Sequence, residues 1–472
     1  MTATTPANSG RKWQQQASWQ YIWAISWPIF LANITFPLVG AADTAMMGRL
    51  DDASFVGGVA LGSLVFNFIY SGFGFLRMAT TGLVAQAHGR GSTSEIENQL
   101  VRGLVLALAL GGALVLATPL ILGLTGALLS ASPAVEGLMQ QYVGIRILAV
   151  PAALANMVLL GCLFGRQHMR LVLVQIVFIN ILNLGLNILF VIGFGMAIEG
   201  VALASVAAQW IGLAATLLLI RWQWRDLLAG IAGRVFRHRP AWLDTAAFRQ
   251  FFVIGSDITI RTMLILLSEA ILLNQAARID DLSLAAAQLM MVMFGLIAYG
   301  LDGYAHAAEA LVGEAIGRRN PPMLEVVMRR TNVLAGISAV LIGLATWVAG
   351  PTIIGMLTSQ PDLAALTLAH WQWVALLAPV SFIAFQMDGI FIGATRSREM
   401  RNAMIIAFAG FLIATFFTRG FGLNGLLAAF TIYLGLRGIT LIMRMRHVRA
   451  MAIPADQPDD NPDPDVGRTG PS

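Results

Sequence analysis

Long apolar segments alternate with short polar breaks along almost the whole chain. A run of about 18 or more apolar residues is long enough to cross the hydrocarbon core of a membrane as a helix. The pattern predicts twelve such helices, over residues 18–46, 55–87, 101–127, 134–163, 169–193, 199–221, 248–275, 284–315, 331–357, 364–392, 402–418 and 422–443. We therefore expect an all-α integral membrane protein with twelve transmembrane helices.

The longest polar break separates the twelve helices into two sets of six. The predicted parts are a cytoplasmic N-terminal tail (1–17), an N-terminal six-helix bundle (18–221), a cytoplasmic linker loop (222–247), a C-terminal six-helix bundle (248–445) and a cytoplasmic tail (446–472). The last tail is rich in Pro and Asp from Pro454 onward, a composition typical of disordered segments.

The two halves repeat each other. Arg49-Leu-Asp-Asp-Ala-Ser54 recurs as Arg278-Ile-Asp-Asp-Leu-Ser283. Further matches lie 228 positions apart, namely Gly72 with Gly300, Gly89 with Gly317, Arg102 with Arg330, Pro151 with Pro379 and Gly165 with Gly393. Because each half has six spans, both start on the same side and the repeats are parallel. Such repeats are typical of transporters, whose two bundles move around a shared site near the midplane.

Composition and charge fit a protein that faces lipid. The chain is 57% hydrophobic and only 12% charged, whereas soluble proteins carry about 25% charged residues. Most arginines fall in the loops on one side, and only Arg49, Arg278 and Arg419 flank the other. Positive loops mark the cytoplasmic side, so both termini are predicted to be cytoplasmic in a bacterial inner (plasma) membrane. This placement explains the net charge of +5 without a nucleic-acid partner.

One acid stands in the first apolar segment. Asp43 follows Pro28 and Pro37, and proline inside a helix removes a backbone hydrogen bond and bends the axis. A carboxylate within a membrane is costly and is therefore a candidate functional group. Its proximity to Arg49 leaves open a position in the outer interface, but Asp51 and the acid after it already mark the aqueous edge. We favour a role for Asp43 in coupling.

Amides form a stripe in the fifth helix. Asn180, Asn183 and Asn187 lie three and four positions apart, and the sixth helix adds Ser205 and Gln209 at the same helical spacing. With Asp43 these side chains are predicted to line a polar substrate or cation pocket in the N-terminal half. The alternative is that they bond neighbouring helices to each other, a common role of such residues in membranes.

The C-terminal half has its own charged residues, and its acids do not recur in the other half. Asp257 and Arg261 lie at i, i+4 and are expected to pair. Glu269, Asp302 and Asp388 are the candidate functional acids of this half.

Histidine and arginine complete the set of intramembrane polar residues. His306 shares a helix face with Asp302 and Glu309, and we expect it to be a partner of Asp302 rather than a metal ligand. Arg77 and Arg146 are expected to be neutralised by acids that the sequence does not identify. The single cysteine, Cys162, excludes an internal disulfide and a cysteine-rich metal site. No metal site is predicted.

Several stretches carry a family resemblance that covers residues 15–447. They are Pro-Leu-Val-Gly-Ala-Ala-Asp43-Thr-Ala, Phe-Leu-Arg77-Met-Ala-Thr-Thr-Gly-Leu-Val-Ala-Gln86-Ala, Ala-Asn-Met-Val-Leu-Leu-Gly161, Leu301-Asp-Gly-Tyr304 and Met387-Asp-Gly-Ile-Phe-Ile-Gly-Ala-Thr-Arg396. With the twelve predicted spans, they resemble the multidrug and toxic compound extrusion (MATE) family, in its DinF branch. The resemblance implies two bundles forming a V, with a central cavity open to one side at a time.

The resemblance also implies roles for individual residues. Asp43 matches the proton site of the branch, Pro28 the bending point of the first helix, and Asn180, Asn183, Asn187 and Ser205 match polar partners of the acid. Relatives often carry a second acid where this chain has Asn187, so a sodium site made of two carboxylates is disfavoured in this half. Glu269 and Asp388 fall where other branches place cation-binding acids.

We therefore expect a secondary active multidrug antiporter that exports cationic or amphipathic organic compounds in exchange for protons, by alternating access. A sodium-coupled antiporter and a lipid-intermediate flippase on the same scaffold are the alternatives. The expected partners are small organic cations or amphipathic drugs and membrane lipids, and no nucleic acid. No cofactor is expected beyond the coupling ion, which is H⁺, or Na⁺ in the alternative. The protein is expected to be monomeric. Motifs of hydrolases, metalloproteases and nucleotide-driven pumps do not occur, so no enzyme activity is expected. A receptor that binds without counter-transport would leave the repeat unexplained.

Overall fold

The computed structural model describes residues 13–47, 54–128, 131–224 and 244–453, apart from the side chains of residues 34, 36–47 and 128. Within these ranges the regular structure is entirely helical. Ten stretches are long and apolar enough to cross a membrane, and the last of them, Ser397–Met443, contains two helices. With the helix Trp19–Met47 this gives the twelve spans that the sequence predicts.

The spans are labelled in chain order. They are α1 (Trp19–Met47), α2 (Ser54–Gly89), α3 (Thr93–Leu116), α4 (Pro133–Gly165), α5 (Met169–Gly193), α6 (Ile198–Gln223), α7 (Thr245–Ala277), α8 (Asp281–Gly317), α9 (Pro321–Leu357), α10 (Trp371–Gly393), α11 (Ser397–Thr418) and α12 (Gly422–Met443). The described part also contains the short helices Thr118–Leu128, Pro361–Ala369 and Met445–Ala450, a helical turn over residues 13–16 and a 3₁₀ turn, Arg419–Phe421.

Several helices begin earlier than the apolar pattern predicts. α3 begins at Thr93 instead of 101, α9 at Pro321 instead of 331, and α11 at Ser397 instead of 402. Charged residues lie within the first three turns of each of these helices, so a search for apolar runs misses their starts. Capping fixes the start of two of them: Ser92 Oγ accepts from the backbone N–H of Glu95 at 3.3 Å, and Asn320 caps α9 at 3.0 Å.

Two predicted spans are divided in the structure. The predicted helix 101–127 is α3 followed by a separate helix, Thr118–Leu128, and the predicted helix 364–392 is the short helix Pro361–Ala369 followed by α10. In addition, α2 is interrupted at Gly74 and α4 passes through a 3₁₀ turn, Ile147–Ala149. Continuous hydrophobicity therefore predicted membrane residence correctly but not the breaks within it.

The internal repeat is visible in how helices pack. In the first half Gly165 of α4 lies against the backbone of Thr81 in α2. In the second half Gly393 of α10 lies against the backbone of Glu309 in α8. A Cβ at either glycine would overlap the facing backbone, so only glycine permits this close approach. Each residue of one contact lies 228 positions from its counterpart in the other, as the sequence repeat requires.

The two halves meet along two equivalent seams. In the first seam α1 packs on α8, where Asn33 Nδ2 donates to the carbonyl oxygen of Tyr299 at 3.3 Å. In the second seam α2 packs on α7, where Thr259 Oγ1 donates to the carbonyl oxygen of Gly72 at 2.8 Å. One buried apolar cluster extends from the first half into α8 and α10 of the second, and a second cluster lies in the C-terminal half.

The outer surface of the spans is apolar. Trp222 is 73% exposed and Phe417 74% exposed, among many large apolar side chains that no protein group covers in the described part. Exposed apolar surface on this scale fits contact with lipid. We call the end of the molecule where α2, α4, α8 and α10 terminate, beside Arg90, Arg166, Arg318 and Arg396, the arginine-rich face.

Candidate functional site

A cavity of about 510 Å³ lies in the C-terminal half, against α2 of the other half. It is enclosed mainly by α7, α8, α10 and α12. Its charged or titratable lining residues are Arg77, Arg261, Glu269, Asp302, His306, Glu309, Asp388 and Arg437. Its aromatic and methionine lining residues are Met78, Met291, Phe294, Tyr299, Phe385, Phe430 and Tyr433. The cavity thus combines an apolar wall with eight polar side chains, the composition of a ligand site.

Asp388 lies at the centre of an ion-pair network. Arg261 of α7 and Arg437 of α12 both donate to its Oδ2 atom. All three side chains are buried, and the guanidinium of Arg437 also lies over the ring of Phe385, 5.6 Å from its centroid. The expected pairing of Asp257 with Arg261 is therefore wrong. Two guanidinium groups share one oxygen, Oδ2, of the Asp388 carboxylate.

Asp257 has different partners. Its carboxylate accepts from Arg401 Nη1 at 2.6 Å and from Ser397 Oγ at 2.9 Å, both on α11. These groups line a separate, open pocket of about 1030 Å³ at the arginine-rich face. Helical spacing made Arg261 reachable for Asp257, but packing places Asp257 toward α11 and Arg261 toward α10 and α12.

Glu309 of α8 is the centre of a second network, which joins the two halves. Arg77 Nη1 on α2 lies 3.3 Å from its Oε2 atom, and His306 Nδ1 lies 3.2 Å from the same atom. Glu309 is fully buried, and Arg77 also lies over the ring of Phe164. The expectation that an acid neutralises Arg77 is confirmed. We expected His306 to contact Asp302, but it contacts Glu309. Both acids lie one turn away on the same helix face, and the Glu309 oxygen that Arg77 also contacts is the one within 3.2 Å of His306.

Glu269 and Asp302 also face the cavity. Within the described part of the chain, neither side chain makes a hydrogen bond or an ion pair within 4.0 Å. The other two cavity acids, Glu309 and Asp388, each contact an arginine. One oxygen of each of those acids, Glu309 Oε1 and Asp388 Oδ1, is buried without a hydrogen-bond partner among the described residues. The cavity therefore offers two acids and several unused polar atoms to a ligand or to water.

The amide stripe of α5 is largely satisfied within the N-terminal half. Asn180 Nδ2 donates to Thr35 Oγ1 of α1 at 2.6 Å. Asn183 Nδ2 donates to Ser205 Oγ at 3.2 Å, and Asn187 Nδ2 donates to Asn183 Oδ1 at 3.3 Å. The structure thus places four of the predicted pocket residues in two hydrogen-bonded groups: Asn180 bonds to α1, and Asn183, Asn187 and Ser205 bond to one another between α5 and α6.

Gln209, the fifth predicted pocket residue, lies apart from both groups. Its side chain accepts from Asn156 Nδ2 of α4 at 3.0 Å, and Asn156 also donates to its backbone carbonyl at 3.0 Å. This contact joins α4 to α6. For Gln209 the structure therefore matches the alternative reading, in which an amide bonds two helices together.

The residues predicted for coupling lie on α1. The helix is continuous from Trp19 to Met47, through Pro28, whose side chain is buried. The side chain of Asp43 lies outside the described residues. Thr35, which receives the bond from Asn180, stands eight positions before Asp43.

Two features of the Asp388 network were not predicted from the sequence: the presence of Arg437, and the sharing of Asp388 by Arg261 and Arg437. Arg437 is the only charged residue within α12 (Gly422–Met443), and a lone charge in an apolar span was the available signal. Arg146, whose partner the sequence left open, donates to the Tyr142 hydroxyl and lies 4.8 Å from the centroid of the Phe66 ring.

Known proteins resemble most of the chain. The MatE family model matches residues 28–189 and 258–418. DNA damage-inducible protein F of Escherichia coli is 37% identical over 420 residues, which cover 89% of this chain and 90% of the relative. A probable multidrug resistance protein NorM of Neisseria meningitidis is 25% identical over 359 residues, 75% of this chain and 77% of the relative.

Solved structures share the fold. A MOP superfamily transporter from Pyrococcus furiosus superposes with a TM-score of 0.81 at 18% identity, over 91% of this chain and 96% of that one. An outward-facing multidrug resistance MATE family transporter superposes with a TM-score of 0.80 at 16% identity and the same coverage. The twelve helices in two parallel repeats are thus the fold of these transporters. The chain belongs to the MATE family of multidrug transporters.

Proposed function

We propose that this protein is an efflux antiporter that exports organic cations in exchange for protons, and that the cavity in the C-terminal half holds the exported cation. The observation that carries the proposal is that the four cavity acids differ in their partners. Asp388 and Glu309 contact arginines, whereas Glu269 and Asp302 face the cavity without such a partner in the described part. Glu269 and Asp302 bring the lining to four acids against three arginines, and these two carboxylates attract a cation.

The apolar wall supports the same class of ligand. Rings of Phe294, Phe385 and Phe430, with the two tyrosines, surround the acids. A cation over an aromatic face gains about 0.5–2 kcal/mol, more when it is desolvated. Methionines at the same wall adapt their shape to different ligands. A lipophilic cation with a delocalised charge fits these contacts better than a small, strongly hydrated ion.

We assign proton coupling to Asp43 on α1. The support is positional: Asn180 ties α5 to α1 through Thr35, so the amide stripe lies beside the helix that carries Asp43. Protonation would remove a charge next to these amides and change which hydrogen bonds α1 makes. A ligand shifts an equilibrium between two conformations only if it binds one of them more tightly. We propose that a proton on Asp43 binds more tightly to the conformation in which α1 bends at Pro28.

The ion-pair network argues against sodium at Asp388. A sodium ion needs oxygen ligands, and here two guanidinium groups already donate to the carboxylate. A small ion bound directly to Asp388 would lie beside these two buried positive charges and be repelled. The arrangement therefore disfavours sodium at Asp388, whereas Glu269 and Asp302 stay available to the exported cation.

We also propose that the arginine-rich face is cytoplasmic and that the bacterial inner membrane surrounds the spans. The support is the concentration of arginine at one end of the helices. The halves are in contact at this end, so the described arrangement is closed toward the cytoplasm, and the exported cation would leave on the opposite side.

The coupling is tested by substrate-triggered proton movement in everted vesicles. Adding a cationic dye to wild-type vesicles should release protons, and Asp43→Asn should abolish the release at equal expression. Asp362→Asn is the matched control, because Asp362 is an exposed acid of the short helix before α10. Equal proton release from wild type and Asp43→Asn, or release only when sodium is present, would contradict the assignment.

The cation site is tested separately by binding. Tetraphenylphosphonium, a lipophilic cation, should bind the detergent-purified protein, and Asp302→Asn or Glu269→Gln should each weaken it about tenfold, equivalent to about 1.4 kcal/mol. Asp362→Asn should leave the affinity unchanged. Wild-type affinity in both cavity variants would place the cation elsewhere.

One observation favours a second candidate. Arg77, Arg261 and Arg437 line the same cavity, so an amphipathic ligand with an anionic group, such as a lipid intermediate, would also find partners. The same binding experiment separates the two, because an anionic amphiphile should bind more tightly after Asp302→Asn, whereas tetraphenylphosphonium should bind more weakly.

A further inference from the structure

α2 and α8 cross closely at the arginine-rich face. Gly89 near the end of α2 lies against the carbonyl oxygen of Glu314 in α8, and Gly317 at the end of α8 lies against the carbonyl oxygen of Gln86 in α2. A Cβ at either glycine would overlap that oxygen. The two contacts are counterparts in the repeat, since Gln86 and Glu314, like the two glycines, lie 228 positions apart. The crossing point is thus a local two-fold arrangement between the halves.

On one side of this crossing the contact between halves is neutral. Gln86 Nε2 donates to the carbonyl oxygen of Gly393 at 3.0 Å and to Thr395 Oγ1 at 3.3 Å. Gly393 is the last residue of α10, and Thr395 lies in the turn between α10 and α11. Gln86 is 8% exposed, so these hydrogen bonds are largely shielded from water. We call this contact the neutral arm.

On the other side the equivalent contact carries charge. Gln167, in the turn between α4 and α5, donates to the carboxylate of Glu314 on α8. Arg318 Nη2 lies 2.5 Å from the other carboxylate oxygen, and Tyr21 of α1 donates to Gln167 Oε1 at 2.8 Å. Glu314 is fully buried. We call this contact the charged arm.

The backbone supports both arms in the same way. Gln167 and Thr395 occupy equivalent positions in their turns, and both have left-handed backbone angles, with φ of 61° and 55°. A residue other than glycine adopts this conformation at a cost, so it persists where surrounding contacts hold it. Each turn directs its side chain to the opposite half, which identifies the pair of arms as a feature of the interface between the halves.

We infer that the two arms form a latch that holds the halves together at the arginine-rich face, and that the carboxylate of Glu314 sets its strength. The inference rests on the proposed function only in that the halves separate at this face during transport. When they separate, Gln167 leaves Glu314, and a buried carboxylate loses a hydrogen bond to the opposite half. Hydrogen bonds to charged groups are stronger than neutral ones, so the charged arm dominates the neutral one.

The latch is tested by the distance between the halves. Spin labels are placed at Arg170 and Arg398, exposed counterparts at the starts of α5 and α11. Cys162, which is fully buried, is replaced by Ala. Glu314→Ala should raise the ratio of long to short distances about tenfold, the change expected from losing one charge-assisted hydrogen bond. Gln86→Ala should shift the ratio in the same direction but less.

Glu95→Ala is the matched control, since Glu95 pairs with Arg90 of its own half at the same face, at 2.6 Å. An unchanged distance distribution in Glu314→Ala, or an equal shift in Glu95→Ala, overturns the latch. Where Glu314→Ala does not fold, Gln167→Ala removes the same bond from a partly exposed turn and is judged by the same criteria.

The measurement is made without drug or proton gradient, so it is independent of the transport assays. A shift in distance together with absent proton release would leave the latch standing and refute the proposed function. Normal drug-triggered proton release with an unshifted distance distribution would refute the latch and leave the proposed function standing.

Discussion

The network around Asp388 makes the sharpest prediction about stability. Asp388, Arg261 and Arg437 are 5%, 6% and 3% exposed, and both guanidinium groups share one carboxylate oxygen. Replacing Asp388 by Leu leaves two buried positive charges facing each other. Removing one partner of a buried ion pair costs about 3–5 kcal/mol, because the remaining charge stays desolvated. The free energy of unfolding of Asp388→Leu should fall by this amount in a denaturant titration in mild detergent.

The triple variant isolates the cause. Combining Asp388→Leu with Arg261→Met and Arg437→Met removes all three charges and fills the space with apolar groups of similar size. Buried charge clusters replaced in this way are often neutral or stabilising, so the triple variant should lie within about 1 kcal/mol of wild type. Asp362→Leu at the surface serves as the single-site control. If Asp388→Leu unfolds like wild type, or if the triple variant is as unstable as Asp388→Leu, the network does not stabilise the fold as argued.

Three further predictions follow from other contacts. Arg77→Ala and Glu309→Gln should each abolish drug transport, because each breaks the ion pair between the halves. The double variant should transport no less than either single variant, as measured by drug uptake into vesicles at matched expression. Burial, followed by the charge of Arg166, lowers the pKa of His168 to about 4. Because the unfolded chain binds this proton more tightly, the free energy of unfolding should fall as the pH drops from about 6.5 toward 4. Denaturant titrations at both pH values should show a smaller fall in His168→Phe. Cys162, fully buried in α4, should react with a maleimide only after denaturation, and modification of the native protein would contradict its placement.

The sequence anticipated the polar network of the N-terminal half better than that of the C-terminal half. Asn183 and Asn187 stand one turn apart on the predicted stripe and bond to each other, and Asn180 on the same stripe bonds to α1. Gln209 has the same kind of spacing to Ser205, yet it bonds to α4. Periodicity tells which side chains share a face, but not which helix that face meets.

The charged residues show where sequence reasoning ends. Asp257 and Arg261 stand one turn apart, and the sequence could offer no closer partner for either. In the folded chain Arg261 meets Asp388, 127 positions away, and Asp257 meets Arg401, 144 positions away. A long guanidinium side chain reaches several helices, so its partner is decided by which helices pack together.

The sequence by itself determined the membrane class, the twelve spans and the two-fold repeat of this protein. These follow from local properties, since an apolar run of sufficient length must form a helix in lipid, and a duplicated pattern must fold twice in the same way. The tertiary structure alone decided the ion-pair partners, the cavity acids left available and the contacts that join the halves. The physical reason is that each depends on side chains far apart in sequence, brought together only when the two bundles pack against each other.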